Sequence, residues 1–357
     1  MTKEKRFVDS CKSYKLNDEE ISQINEYFKK HWGKKISCVW HRCYAAHTGQ
    51  YVVDYFPDLL WVPHFEHYMN ANRDYAIVYE DKNVLPILAS YVKVKTPRTY
   101  LSSTDGLLRD GSFAPLSVDS AKAKLHNVGE VFCKPSVRAC SGRGCFSANF
   151  RNGIDTKTGR TISEVIKDLG ENFQIQECIR CHDSIAAIYP TSVNTFRIIT
   201  YRWKNEFYHM PVAMRIGQGG SEVDNACAGG MVVGVNDDGT LRPVATTEFN
   251  KQFSSHPDTG YVFADGKIEH FYKVVASAKK MHALLPQIGV FHWDFTIDEE
   301  GEPVLIEANV LNGNIWLINN AHGKSPFGEK TVEVIEWTRK MRDTNVRERK
   351  KYMFGKV

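Results

Sequence analysis

The chain has 357 residues, of which 42% are hydrophobic and 25% charged, with a formal net charge of +4, as in a globular protein with a sizeable core. This composition gives no indication of a nucleic-acid partner, no apolar run reaches the about eighteen residues of a membrane span, and the first residues lack the apolar core of a secretory signal. Nine scattered cysteines favour reduced thiols, so we expect a cytoplasmic protein, with its oligomeric state left open.

The N-terminal segment, residues 1–78, is predicted to be helical and rich in aromatic side chains. In LNDEEISQINEYFKKHW, Asn17 suits the N-cap of a helix, and Glu20 follows at the spacing of a capping box. The next stretch, HRCYAAHTGQYVVDYFPDLLWVPHFEHYMN, combines aromatic and histidine side chains. We expect it to pack rather than to catalyse.

The second unit, residues 79–182, alternates helices and strands. EDKNVLPILASYVKV is predicted as a helix, and TPRTYLSS begins a strand after Pro97. Residues 130–150 read as a strand, a glycine-containing loop and a second strand. A helix, ISEVIKDLGENF, and a strand, FQIQECI, complete the unit.

The third unit, residues 183–357, begins with two predicted strands, NTFRIITYRW and FYHMPVAMRIG. The loop GQGGSEVDNACAGG follows, then the helix HFYKVVASAKKMHALLP, a hairpin and a last helix, KTVEVIEWTRKMRDTNVRERKKY, whose basic end we expect to be solvated. Because strands and helices alternate with several hairpins, the fold class is mixed α/β of the α+β type, with antiparallel sheets.

The hairpin, FHWDFTIDEEGEPVLIEANV, carries three oxygen-bearing side chains inside its strands: Asp294, Glu307 and Asn309. A turn about residues 300–301 sets Asp294 opposite Glu307, with Cβ atoms roughly 4.5–5.5 Å apart. Two carboxylates this close repel unless a cation lies between them, and Mg²⁺ takes few protein oxygens when phosphates supply the rest. A water-exposed polar face is the alternative. The pattern favours a magnesium–phosphate site.

A second motif, CKPSVRACSGRGC, places Lys134 at the end of a strand, before a loop with Gly142 and Gly144. Small residues let backbone N–H groups approach a phosphate, and a lysine adds a point charge. The loop is neither a Walker A loop nor a dinucleotide fingerprint, so an ordinary turn would explain it in isolation. A bound magnesium nucleotide would explain this loop and the hairpin together.

Six motifs, taken in order, resemble the ATP-grasp superfamily, and in particular its sugar-transfer associated branch, linked to polysaccharide biosynthesis. They extend from about residue 80 to 329 and are EDKNVLP, VFCKPSVRACSGRG, FQIQECI, SVNTFRIITY, VAMRIGQGGSEVDNACAGG and the hairpin. The resemblance implies an ATP-grasp fold, in which two α+β lobes hold ATP between them. Residues 79–182 would form the small lobe with the phosphate loop, and residues 183–357 the C-terminal lobe with the magnesium site.

The resemblance also implies nucleotide contacts. Lys82 and Lys134 match lysines that contact ATP phosphates. The loop that closes over the phosphates is matched by four residues: Ser141, Gly142, Arg143 and Gly144. On the hinge strand, Glu177 and the backbone of Ile179 are expected to contact adenine, with Asp183 as the ribose ligand.

Catalytic and metal residues follow from the same resemblance. Arg197 and Arg215 match arginines that face the transferred phosphate, and with Lys134 they form the expected catalytic set. The magnesium ligands are matched by Asp294, Glu307 and Asn309, for two Mg²⁺ ions with Mn²⁺ as a substitute. Family hairpins commonly read GWD where this chain reads HWD, so His292 is either a packing residue or a substrate contact.

The implied activity is that of an ATP-dependent carboxylate–amine ligase, which forms an amide through an acylphosphate. For this branch the small-molecule substrates would be a sugar acid and an amino acid or another amine, in surface polysaccharide or related metabolite biosynthesis. Two alternatives stay open: an ATP-grasp kinase acting on a small acceptor, and a non-catalytic ATP-binding module. Residues 178–182 also fit the C-x-x-C-H pattern of haem attachment, but that pattern needs an oxidising compartment.

Overall fold

The computed structural model describes residues 3–137 and 143–356. The N-terminal part contains seven short helices: α1 Lys3–Ser10, α2 Asp18–His31, α3 Val39–Thr48, α4 Asp58–Leu60, α5 His67–Met69, α6 Asp74–Glu80 and α7 Leu85–Tyr91. A π-helical turn, Trp61–Glu66, joins α4 to α5. The predicted capping box begins α2: the Glu20 amide donates to the Asn17 side chain, and the Asn17 amide donates to the Glu20 carboxylate, both at 2.9 Å.

The aromatic residues of the N-terminal segment pack against the end of the chain, in line with the predicted packing role. Phe65 contacts Phe327 at 4.9 Å between ring centroids and Trp337 at 5.9 Å. Trp61 and Phe28 belong to the same buried cluster. The N-terminal helices therefore share a hydrophobic core with the C-terminal part of the chain.

A six-stranded antiparallel sheet forms the smaller lobe. Its strands are β1 Thr99–Thr104, β2 Leu107–Asp110, β3 Gly129–Pro135, β4 Phe146–Arg151, β5 Ile154–Asp155 and β6 Phe173–Glu177. The spatial order is β2-β1-β6-β3-β4-β5. Two helices pack on this sheet, α8 Val118–Leu125 and α9 Ile162–Leu169. The strands and the helix predicted between residues 97 and 177 are thus confirmed.

An eight-stranded antiparallel sheet forms the larger lobe. Its strands are β7 Thr195–Trp203, β8 Glu206–His209, β9 Val212–Ile216, β10 Met231–Val235, β11 Ala245–Thr247, β12 Gln252–Phe253, β13 Val290–Ile297 and β14 Pro303–Asn309. The spatial order is β12-β11-β10-β9-β7-β13-β14, with β8 paired to β7. Its helices are α10 Asp183–Ala186, α11 Phe271–Leu284, α12 Trp316–His322 and α13 Thr331–Asp343.

Both faces of the larger sheet are covered. The α11 side chains Phe271 and Met281 pack on one face with Trp293, whereas the other face, including Val290, meets the N-terminal aromatic cluster. Every residue of β13 is consequently buried. The cover on the second face comes from residues more than 200 positions earlier in the chain. None of the helices within the described ranges combines the length and apolarity that a membrane span needs.

Two other elements differ from their predictions. FYHMPVAMRIG is divided into β8 and β9, and the pairing with β7 shifts by one residue between them. Pro211 lies at the division, where a residue without an N–H cannot donate to the ladder. The last helix ends at Asp343, and residues 349–355 form a 3₁₀ turn that folds back, with Trp337 Nε1 donating to the Tyr352 carbonyl at 2.7 Å.

Candidate active site

A cleft of about 590 Å³ lies between the two sheets and the irregular segment, residues 178–182, that follows β6. Eight residues predicted for the site line it: Lys82, Lys134, Glu177, Ile179, Asp183, Arg215, Asp294 and Glu307. Four others are described but do not belong to its lining: Arg143, Gly144, Arg197 and Asn309. Ser141 and Gly142 lie outside the described residues.

The two strands of the hairpin pair in the predicted register at the end away from the turn. Asp294 faces Glu307, and His292 faces Asn309. The register then shifts by one, so that Phe295 faces Leu305. This bulge lies on the turn side of the two carboxylates and leaves their juxtaposition intact.

Asp294 is the centre of a buried charge network. Arg197, its partner on β7, donates to its carboxylate from Nε at 2.7 Å and from a terminal nitrogen at 3.2 Å. Arg215 approaches the second oxygen at 3.2 Å. Burial acts to raise the pKa of Asp294, but the two arginines outweigh it and hold the pKa below its ordinary value. Arg197 therefore contacts a residue of the cleft wall, Asp294, without lining the cleft itself.

A second carboxylate, Asp224, holds Arg215 from the other side. Asp224 accepts from the Thr195 amide at 3.0 Å and from the Thr195 hydroxyl, and it lies 3.4 Å from the Arg215 guanidinium. Arg215 also donates to the Thr195 hydroxyl oxygen, at 3.0 and 2.7 Å. Burial raises the pKa of Asp224 in spite of these partners. The motif DNACAGG identified the loop that contains Asp224. The contacts of Thr195 with Arg215 depend on the pairing of β7 with β9, which no local sequence pattern predicts.

Two lysines add positive charge near Glu307. Lys82 forms an ion pair with the Glu307 carboxylate at 2.8 Å. Lys134 is buried, with its ammonium 3.5 Å from the Ile306 carbonyl. Burial, followed by the neighbouring charge of Lys82, lowers the pKa of Lys134 to about 8. Such a lysine gains its charge most readily when an anion lies beside it.

At the hinge, the Glu177 carboxylate is held by the backbone of Arg98. The carboxylate accepts from the Arg98 amide at 2.8 Å, and the Glu177 amide donates to the Arg98 carbonyl at 2.9 Å. The hinge residues after it, Cys178 and Ile179, also line the cleft. The side chain of Glu177 is thus engaged within the small lobe, and the cleft wall continues along the residues that follow it.

The two lobes also meet across the cleft. Glu222, in the loop between β9 and β10, accepts from the Ser147 hydroxyl of β4 at 2.8 Å. Lys157 of the small lobe donates to that hydroxyl at 2.7 Å and pairs with Glu130 at 3.2 Å. This contact was not predicted, because it joins exposed residues from distant parts of the chain.

His292 lies against the N-terminal segment. It is fully buried, makes an edge contact with Trp61 at 5.8 Å and lies 3.6 Å from Glu66. A Cβ on Gly313 would overlap its ring. These contacts favour the packing role over a substrate contact.

The donors on the hairpin fit a hard divalent cation. Asp294 and Glu307 are paired on adjacent strands and both line the cleft. Arg197 and Lys82 balance their charges in this structure, so a bound cation would share the carboxylates with these side chains. Carboxylate oxygens are the ligands that Mg²⁺ prefers. Asn309, half-buried at the end of β14, would have to turn toward the cleft to join them.

Comparison with solved structures gives distant similarities. The structure of the ADP complex of the N5-carboxyaminoimidazole ribonucleotide synthetase purK has 12% identity and a TM-score of 0.39 over 66% of this chain. The VanG D-Ala:D-Ser ligase from Enterococcus faecalis has 12% identity and a TM-score of 0.45 over 73% of it. The matches span 46% and 62% of those two chains, respectively. The D-alanine–D-alanine ligase from Bacillus anthracis has 14% identity and a TM-score of 0.42, with 77% of this chain and 69% of that chain covered.

No curated protein matches the sequence. The family model described as "Sugar-transfer associated ATP-grasp" matches residues 63–333, from the π-helical turn to the start of α13. The match includes both sheets, the hinge and every described residue that lines the cleft. The chain belongs to the sugar-transfer associated ATP-grasp family.

Proposed function

We propose that the protein is an ATP- and magnesium-dependent ligase that joins a carboxylate to an amine. The observation that carries this proposal is the convergence, in one cleft between two lobes, of two lysines, a buried arginine and two opposed carboxylates. Phosphoryl transfer from a nucleotide can use such a set, because catalysis depends on positioning and on neutralising charge rather than on a protein nucleophile. Membership of an ATP-grasp family supports the same nucleotide.

In the proposed complex the base lies against the hinge, beyond Glu177, and Asp183 binds the ribose. Lys82 and Lys134 then contact the phosphates. Because Lys134 is buried, its charge acts in a medium that screens it weakly. The predicted loop, residues 141–144, would close over the phosphates and keep out water, which hydrolyses acylphosphates.

Asp294 and Glu307 would hold the magnesium, with Asn309 as the third predicted ligand. When bound, Mg²⁺ neutralises phosphate oxygens and orients them. Arg215 would contact the transferred phosphoryl group. It touches two carboxylates, Asp294 and Asp224, so its guanidinium keeps one anchor if the other carboxylate binds a metal ion.

The proposed reaction has two steps. An oxygen of the acid attacks the γ-phosphorus of ATP, the bond to ADP breaks, and an acylphosphate forms. The amine then attacks the acyl carbon, the C–O bond to phosphate breaks, and the amide, inorganic phosphate and a proton are released. A sugar acid and an amino acid or another amine are proposed as substrates, in surface polysaccharide or related metabolite synthesis, because the family description refers to sugar transfer. A cytoplasmic setting is part of the proposal, since the reaction consumes ATP.

The test is incubation of the purified chain with Mg–ATP and a panel of uronic acids, amino acids and simple amines, followed by mass spectrometry. ADP together with a product of mass acid plus amine minus water would support the ligase and identify both substrates. ADP with a phosphorylated acceptor would replace the ligase by a kinase. Binding of ATP without turnover on any pair would favour the non-catalytic module.

A further inference from the structure

A second group of metal-ligating side chains lies outside the nucleotide cleft. His182, Glu269 and His270 each place one ligand atom within 4.8 Å of the other two. His182 precedes α10, directly after the hinge, and the other two residues precede α11. None of the three lines the cleft. We propose that these three residues bind a divalent transition-metal ion of the zinc class.

The orientation of His182 is fixed by its neighbours. Its Nδ1 lies 3.0 Å from the Ser184 hydroxyl and 3.3 Å from the Ser184 amide. Its own amide donates to the Ile297 carbonyl at 2.9 Å. The Ser184 amide donates to Nδ1, whereas a ligand bond from Nε2 requires the ring proton on Nδ1, from which it can be donated to the Ser184 hydroxyl oxygen. A metal-binding histidine commonly donates its other ring N–H to a neighbouring oxygen, and the Ser184 hydroxyl oxygen is in reach of Nδ1 for that bond.

His270 and Glu269 are held beside it. His270 has a left-handed backbone, with φ of 60°, and its ring packs on Gly301, where a Cβ would lie 2.6 Å from it. The His182 and His270 ring centroids are 5.3 Å apart. The Glu269 amide donates to the Ser184 hydroxyl at 3.2 Å, so the serine that orients His182 also holds the third ligand. The two histidine rings and the backbone of Glu269 therefore lie beside one another before any ion binds.

The donor set selects the class of metal. Two imidazoles and one carboxylate suit zinc and its neighbours in the first transition series, whereas Mg²⁺ and Ca²⁺ prefer oxygen alone. Ligands at about 2.0–2.2 Å from zinc lie roughly 3.5 Å from one another, so a small inward movement completes the site. Glu269 is exposed, which leaves room for water in the remaining position. An ion here would hold the start of α10, whose Asp183 lines the cleft.

The test uses the full chain, stripped with a chelator and titrated with Co²⁺ in excess Mg²⁺ while the visible absorption is recorded. We expect one equivalent of Co²⁺ to bind with d–d bands and without a thiolate charge-transfer band. His182→Asn removes an imidazole and keeps a residue that can cap the N-terminus of α10. His270→Asn removes the other imidazole and keeps a residue that tolerates a left-handed backbone. Each should raise the Co²⁺ Kd by more than about tenfold, since loss even of an outer-shell partner commonly costs 10–100-fold.

Glu269 is exposed, so Glu269→Gln should leave the fold unchanged, and it should weaken Co²⁺ binding as well. His126→Ala, which removes an exposed histidine elsewhere, should leave it unchanged. The proposal is overturned if no Co²⁺ binds, if the bound ion shows thiolate bands alone, or if both histidine variants bind it as the wild type does.

Discussion

Replacement of Asp224 by asparagine tests whether the charge of Asp224 positions Arg215 for catalysis. Asparagine keeps the volume and can still accept from the Thr195 amide, but the negative charge facing the guanidinium at 3.4 Å is lost. A hydrogen bond to a charged group contributes about 1.5–3 kcal/mol, and Asp224 is only 5% exposed, so solvent screens it little. If that contribution is realised in the transition state, kcat falls by about 10- to 150-fold, at 1.36 kcal/mol per tenfold.

The ATP affinity of this variant should change little, because Lys82 and Lys134 do not contact Asp224. Turnover is measured as ADP release with the substrate pair found in the screen, and ATP binding by calorimetry. Asp237→Asn, the same chemical change at an exposed turn, is the matched control. Wild-type kcat in the Asp224 variant, or a loss of ATP affinity with kcat preserved, would refute the assigned role of Asp224.

Three further changes test other parts of the cleft. Glu307→Gln should abolish Mg–ATP turnover and leave the circular dichroism spectrum unchanged, and near-normal turnover would remove the hairpin from the mechanism. Lys134, with a pKa of about 8, is charged below that pH, so ATP affinity should fall as the pH rises above it, by up to about tenfold per unit, when followed by calorimetry. Lys134→Arg stays charged and should flatten that profile; equal slopes in the two proteins would assign the pH dependence to another group. Gly230→Ala would place a Cβ against the Asp224 carbonyl oxygen and should lower the free energy of unfolding by about 1–3 kcal/mol, whereas an unchanged melting temperature would show that the loop can yield.

The local features of the fold could be predicted because they depend on neighbouring residues. The capping box needs only Asn17 and Glu20, and the pairing of Asp294 with Glu307 needs only a turn position and strand alternation. The bulge beyond that pair was not predictable, since the extra residue, Ile306, is neither a glycine nor a proline. Pro211 did indicate the break between β8 and β9, but the apolar pattern around it favoured the prediction of one continuous strand.

The features of the fold and of the site that could not be predicted from the sequence depend on long-range contacts. The full burial of β13 depends on aromatic residues near Trp61 that pack on it from the N-terminal segment. The network of Arg197, Asp294 and Arg215 arises because β7 lies between β9 and β13. The family resemblance marked these residues as a set, but only the strand order shows that Arg197 contacts Asp294 without lining the cleft.

The most direct test of the proposed ligase is the transfer of an oxygen isotope. The acid identified in the screen is labelled with ¹⁸O in its carboxylate, and the inorganic phosphate released with Mg–ATP and the amine is analysed by mass spectrometry. If the carboxylate attacks ATP and the amine then displaces phosphate, each turnover leaves one carboxylate oxygen in the phosphate. Phosphate free of label, with both labelled oxygens retained by the acid or its product, would contradict the acylphosphate and with it the proposed function.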